Sequence, residues 1–252
     1  MQLDLTGLNA VVTGASKGIG YTTALTFARE GARVTLVARN ADTLAEAAAR
    51  IAEETGTTPD TIGADLATSA GVEQLAMQSG PLDILVNNAG AIPPGDLQAI
   101  DEKTWRMGWD LKVFGYINLT RALAPRIAER NGVIINVIGA GAESLSPDYI
   151  CGAVGNAALV AFTRAYAKQF RAMGGRIVGL NPGPVATERM QLFLKARAAD
   201  EFGDEGRAAE LTASLPYARP ASPQEIANAV AFLASPRSAY TNGTVLSIHG
   251  GG

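Results

Sequence analysis

The residues with the clearest chemical capacity stand in one run, Thr13-Gly-Ala-Ser-Lys-Gly-Ile-Gly20. They follow a short apolar stretch, Leu8 to Val12, and open into Tyr21 to Glu30, a segment of helical pattern closed by Gly31. Strand, glycine-rich turn and helix in that order bring free N–H groups and the positive end of a helix dipole to one point, which suits a pyrophosphate. Gly14 permits the tight turn, Gly18 lets the backbone approach the phosphates, and Gly20 lets helix and strand pack closely. Three glycines alone are weak evidence, because such turns also merely connect elements. Here the flanking strand and helix patterns supply the context the motif requires.

A second set of residues bears on which dinucleotide is bound. The next apolar run, Arg33 to Ala38, ends in Arg39-Asn40, with no carboxylate where one would hold the ribose 2′-OH of NAD. Arg39 and Lys17 could instead grip a 2′-phosphate, so NADP is expected over NAD; the alternative is that both are solvated surface charges. Cys151 has no histidine near it in sequence and reads as a small buried residue rather than a nucleophile. His249 is the only histidine, and with no cysteine cluster no metal site is expected. Glu143 and Asp148 flank the same loop; they would either receive a polar or cationic substrate or be solvated loop charges.

The elements that must position these residues alternate in type. Asp42 to Glu54 is helical, Pro59 to Ala64 a weak strand, Ser69 to Gln78 a short helix capped by Thr68 or Ser69, and Leu82 to Val86 a strand running into Asn87-Asn-Ala-Gly90. A long helix is expected over 101–129, carrying Trp105, Trp109, Phe114 and Tyr116 as packing residues, with Pro125 kinking or dividing its last turns. Gly132 to Ile138 is a fifth strand, Cys151 to Ala172 a long helix, and Arg176 to Leu180 and Thr244 to Ile248 the last two strands. Repeated strand–helix alternation implies a parallel sheet with right-handed crossovers.

Length and composition agree with one such unit. The 252 residues are 47% hydrophobic and 18% charged, which suits a single α/β domain over 1–252. A net charge of −3 leaves no basic footprint for nucleic acid. No apolar run is expected to reach bilayer length, and Asp4 interrupts the N-terminus where a signal peptide would be basic and then apolar. A cytoplasmic location fits the single cysteine.

Taken in order, TGASKGIG, Asp65-Leu66, the NNAG of Asn87 to Gly90, Asn181-Pro-Gly-Pro-Val-Ala-Thr187 and the terminal Gly250-Gly251 resemble the classical short-chain dehydrogenase/reductase family along essentially the whole chain. That resemblance implies a doubly wound, seven-stranded Rossmann sheet in three α/β/α layers, a nicotinamide cofactor, and a homotetramer or homodimer. It implies that Gly14, Ser16, Lys17, Gly18, Ile19 and Gly20 cradle the cofactor. Asp65 would meet the adenine amino group beside Leu66, and Asn88, Ala89 and Gly90 would line the adenosine. Pro182, Gly183, Val185 and Thr187 would hold the nicotinamide carboxamide.

The family's chemistry uses a Tyr, a Lys four residues later, a Ser thirteen before the Tyr, and an Asn on the preceding helix. Its Tyr-x-x-x-Lys-Ala-Ala-Leu pattern falls on Gly152-Ala-Val-Gly-Asn156-Ala-Ala-Leu159, so the Tyr position holds Gly152 and the Lys position Asn156. The Ser position holds Gly139 and the Asn position Lys112. Asn156 can still hydrogen-bond ribose hydroxyls but supplies no cation. Tyr149 precedes Gly152 by one turn, and a glycine there would leave room for its ring. Tyr149 is therefore the candidate proton donor and Lys112 its electrostatic partner; the alternative is that Tyr149 packs in the loop and Lys112 pairs with a surface carboxylate.

The segment 188–216 is expected to be a lid over the substrate, or a helix pair packed on another subunit. Its Met190, Leu192, Phe193, Leu194 and Phe202 suggest an apolar small-molecule substrate. Two functions from different classes follow: an atypical NADP-dependent oxidoreductase acting on an alcohol or carbonyl, and a catalytically silent NADP(H)-binding sensor or partner subunit. A methyltransferase on a similar sheet is a third option, weakened by NNAG and PGPVAT.

Overall fold

The computed structural model describes residues 2–251. Seven strands form one sheet: β1 (Asn9–Thr13), β2 (Arg33–Ala38), β3 (Asp60–Gly63), β4 (Ile84–Asn87), β5 (Val133–Val137), β6 (Arg176–Pro182) and β7 (Val245–Ile248), in the spatial order 3-2-1-4-5-6-7. Every neighbouring pair is parallel; β1 matches Ala10 to Val34 on one side and to Ile84 on the other. The order reverses between β1 and β4, and ligands in such sheets bind at the carboxyl ends beside that reversal.

Side-chain alternation distributes the core over both faces. Ala10, Val12, Ile84, Val86, Ile135 and Val178 face one layer, where they pack with Ala24, Phe27, Leu44, Ile226 and Val230. The helices there are α1 (Gly18–Arg29), α2 (Ala41–Thr55) and α9 (Pro223–Ala234). Val11, Leu85, Ile134 and Ile177 face the other, against Val72, Leu75, Leu119, Leu123, Ile127 and Phe170. That layer holds α3 (Ser69–Gln78), α5 (Gly115–Ala128) and α7 (Ile150–Ala172).

The helix expected over 101–129 is divided, though not at its proline. α4 (Glu102–Trp109) passes through a π turn, Asp110–Phe114, into α5, which runs on past Pro125 to Ala128. A proline near a helix end removes one N–H, and α5 absorbs that loss in its last turns. The π turn is the larger perturbation, because it re-aims the side chains that follow it; Lys112 lies within it. One expectation about apolar runs is also corrected. α7 has 23 residues and is apolar enough, by length and composition, to cross a membrane. In this fold its buried side packs in the core through Cys151, Leu159 and Phe170. A short helix α6 (Gly141–Ser144), unmarked in the sequence pattern, follows β5. The lid segment forms α8 (Glu188–Phe202) followed by a 3-10 stretch, Glu205–Thr212.

Candidate active site

The glycine-rich turn joins β1 to α1 with Gly14 at φ +65° and Gly18 at φ +59°, both left-handed conformations that side chains disfavour. A Cβ on Gly20 would stand 2.3 Å from the Gly14 carbonyl oxygen, so only glycine lets α1 start this close to the strand. No side chain caps α1, and its first turn contains no acidic residue. α2, α3, α8 and α9, by contrast, are capped by Asn40, Thr68, Thr187 and Ser222. The first N–H groups of α1, over Gly18, Ile19 and Gly20, therefore remain available to an anion. Ser16 sits partly buried in the turn. Lys17 is exposed and pairs with Glu188 of α8 at 2.8 Å.

The other cofactor candidates rim the same strand ends. Thr13 Oγ1 accepts from the Asn88 and Ala89 amides at 2.9 and 3.1 Å, and Asn88 Nδ2 donates to the Thr13 carbonyl at 3.0 Å. These bonds clamp the NNAG segment to the glycine turn. Asp65 is exposed after β3, its Oδ1 accepting from the Ala67 amide at 3.2 Å, and Leu66 beside it is buried. Arg39 is exposed at the end of β2 and forms no ion pair among the described residues. Gly183 donates to the Ile248 carbonyl, the Ala186 amide beside Val185 donates to that of Ala221, and Thr187 caps α8. A Cβ on Gly18 would lie 3.3 Å from the Thr187 methyl, so the segment 182–187 closes over the turn. The uncapped helix start and this glycine-only approach fit a dinucleotide.

Where β5 ends, glycines and Asn156 shape the floor. Gly139, at φ +135°, would place a Cβ 2.9 Å from Asn156 Nδ2. Asn156 is 2% exposed, and its Oδ1 has no hydrogen-bond partner in the structure. A buried acceptor without a donor is costly, and a ligand hydroxyl would satisfy it. Tyr149 starts α7, and its ring lies over Gly152: a Cβ there would be 2.0 Å from Cζ and 2.5 Å from the hydroxyl. Burial pushes the Tyr149 hydroxyl above the ordinary tyrosine value, Arg189 opposes that shift, and Cys151 adds to it.

Lys112 reaches the same region from the π turn. It crosses Gly90, where a Cβ would lie 3.0 Å from Lys112 Cδ, and its ammonium donates to the Ile138 carbonyl at 2.5 Å. Burial, reinforced by the charge of Arg189, lowers the ammonium to about 8. A second cation bears on the Tyr149 hydroxyl: Arg189, in the first turn of α8, lowers it and donates to the Gly90 and Ile92 carbonyls. Sequence reasoning missed Arg189 because nothing local marks it; only α8 folding back over the NNAG segment brings it in.

Glu143 is not a free loop charge: it accepts from Asn181 at 2.6 Å and from Ser247 at 2.5 Å, and lies 3.1 Å from His249 Nε2. The Ser247 and Asn181 hydrogen bonds hold its carboxyl below the usual range, against the cost of burial, with further help from His249. Cys151 is buried, and burial raises its thiol, consistent with packing rather than nucleophilic use. Among the described residues no group of His, Cys, Asp and Glu could hold a metal. A buried chain without a local sequence signal runs from Asn87 to Asn136 to Thr163, with both links at 2.9 Å. It cross-links β4, β5 and α7 directly beneath the site.

A doubly wound sheet with an uncapped, glycine-cradled helix start at its switch point defines a dinucleotide-binding α/β protein. Residues 14–252 match the family model described as enoyl-(acyl carrier protein) reductase. The chain is 30% identical over 247 residues to the 3-oxoacyl-[acyl-carrier-protein] reductase FabG of Chlamydia muridarum, covering 96% of both chains. It superposes with a TM-score of 0.92 on L-sorbose reductase from Gluconobacter frateurii, solved with NADPH and L-sorbose, at 33% identity and covering 100% of this chain and 98% of that one. A putative NAD(P)-dependent gluconate 5-dehydrogenase from Beutenbergia cavernae, solved with bound NADP, matches at 32% identity and TM-score 0.86, covering 100% of this chain and 98% of that one. This chain belongs to the short-chain dehydrogenase/reductase family.

Proposed function

We propose that this chain is an NADP(H)-dependent oxidoreductase that interconverts a small alcohol and a carbonyl through an atypical reaction centre. When bound, NADPH supplies the hydride that reduces the carbonyl carbon. In this reading Gly139, Gly152, Asn156 and Lys112 occupy the family's Ser, Tyr, Lys and Asn positions. Tyr149 then serves as the proton donor to the carbonyl oxygen. The observation that carries this assignment is the Tyr149 ring standing in the space a side chain at 152 would fill. Its raised hydroxyl keeps the proton at neutral pH, which is the form a reduction needs. The orphaned Asn156 Oδ1 is suited to accept from a ribose hydroxyl.

Two exposed bases, Lys17 and Arg39, and the absence of a carboxylate after β2 support NADP over NAD, as do the NADPH and NADP complexes of the relatives. The silent sensor is the second reading, favoured by the same site: burial works against the acidity a donor hydroxyl needs. NADPH oxidation by the wild type, followed over a panel of carbonyl compounds, separates the two. Turnover that vanishes in Tyr149→Phe with NADPH binding intact supports the enzyme. Turnover appearing only in Gly152→Tyr/Asn156→Lys establishes the silent module.

A further inference from the structure

Two cations converge on Gly90 without a carboxylate to neutralise them. Lys112 approaches from the π turn and ends on the Ile138 carbonyl. Arg189 comes from the first turn of α8 and rests on the Gly90 and Ile92 carbonyls. Neither forms an ion pair among the described residues. Glu188, the residue before Arg189, is committed to Lys17 at 2.8 Å.

Like charges held this close repel, and a partly desolvated ammonium costs free energy unless an anion meets it. Burial chiefly, and the charge of Arg189 in addition, lower the Lys112 ammonium. Backbone carbonyls use only part of the donor capacity of an ammonium and a guanidinium, which leaves donors of both for a ligand. The pyrophosphate has its own cradle at the start of α1, so the surplus positive charge is available to a second anion.

We propose that Lys112 and Arg189 together bind an anionic oxygen group, a carboxylate or a phosphate, on the substrate, so that the compound reduced or oxidised here is an acid rather than an apolar molecule. Arg189 supplies a forked donor pair and sets specificity; Lys112 adds charge. The inference rests on the oxidoreductase reading for the word substrate, but the anion site itself does not.

Calorimetric titration of the NADP⁺-saturated protein with gluconate, with glucitol 6-phosphate and with neutral glucitol tests it. Gluconate or glucitol 6-phosphate should bind at least ~10-fold more tightly than glucitol, and the tighter of the two identifies the group. Arg189→Gln, at an exposed position, should lose ~10–100-fold in that affinity while the NADPH dissociation constant stays within about twofold. Lys112→Met should lose a comparable factor. Equal affinity for the anions and glucitol overturns the proposal, and so does an equal loss of NADPH affinity in both variants, which would give the pair to the cofactor. Because binding is read without turnover, an inert protein that still prefers anions upholds the site while removing the oxidoreductase reading. Turnover of neutral carbonyls with no anion preference does the reverse.

Discussion

Gly152→Ala is the most informative small perturbation, because two effects of opposite sign meet there. In an ordinary helix interior, glycine to alanine stabilises by about 0.5–1 kcal/mol. Here the new Cβ would lie 2.0 Å from Tyr149 Cζ, 2.1 Å from Cε1 and 2.5 Å from the hydroxyl. Carbon atoms in contact sit about 3.5–4.0 Å apart, so the ring must move by roughly 1.5 Å. The backbone resists following it: Gly95 N donates to the Asp148 carbonyl at 2.7 Å, and Ala153 N to that of Tyr149 at 2.8 Å. The ring must therefore swing about its own side-chain bonds. Overpacking costs about 1–3 kcal/mol, so the net change should be a destabilisation of about 0–2.5 kcal/mol. For a chain of this size each kcal/mol moves Tm by about 2–4 °C. A displaced proton donor should cost ~10²-fold in turnover or more. The assay combines thermal unfolding, NADPH binding by fluorescence, and NADPH oxidation. In a Tyr149→Ala background the clash is gone, and Gly152→Ala should instead stabilise by about 0.5–1 kcal/mol. If Gly152→Ala stabilises the wild type equally and keeps full turnover, the Tyr149 ring is not where it matters.

Further outcomes follow from the same coordinates. Gly20→Ala would bring a Cβ within 2.3 Å of the rigid Gly14 carbonyl, so it should abolish NADPH binding and lower Tm despite alanine's better helix propensity. Thr163→Val removes the hydroxyl that accepts from Asn136 Nδ2 at 2.9 Å in the buried chain; calorimetry should show a loss of about 1–3 kcal/mol. Anion affinity should fall as pH rises through about 8, where the Lys112 ammonium loses its proton. Burial raises the Tyr149 and Tyr116 phenols, so both stay protonated across that range. The stability sign is the opposite: the unfolded chain holds the Lys112 proton more tightly. Stability should therefore rise with pH between about 8 and the ordinary lysine value of 10.5, in pH-dependent unfolding of the NADP-free protein.

Much of the architecture was legible because each parallel strand is a short buried apolar run and each crossover helix carries its own punctuation. Arg33–Ala38 and Ser69–Gln78 have the same limits in sequence pattern and in structure. The glycine cradle was legible for a local reason: φ angles above zero at Gly14 and Gly18 demand that residue type. What escaped the sequence depends on long-range geometry. A π turn has no composition signal, so the division at Asp110–Phe114 was missed while Pro125, a loud but tolerated breaker, was overvalued. Arg189 lies 99 positions from Gly90 in sequence, and only the fold joins them. The role of Glu143, substrate contact or solvated loop charge, stayed open in the sequence because its partners Asn181, Ser247 and His249 come from the last two strands and the residues after them. The room at Gly152, in contrast, was inferred from spacing alone, and the Tyr149 ring lies there.

Tyr149 is the group on which proton delivery depends in the proposed reaction. The decisive measurement is single-turnover NADPH oxidation by Tyr149→Phe against wild type, on any carbonyl compound the wild type reduces, with NADPH affinity measured in parallel. The predicted result is a fall of ~10²–10⁴-fold in rate at unchanged NADPH affinity. Wild-type rates in Tyr149→Phe would contradict it.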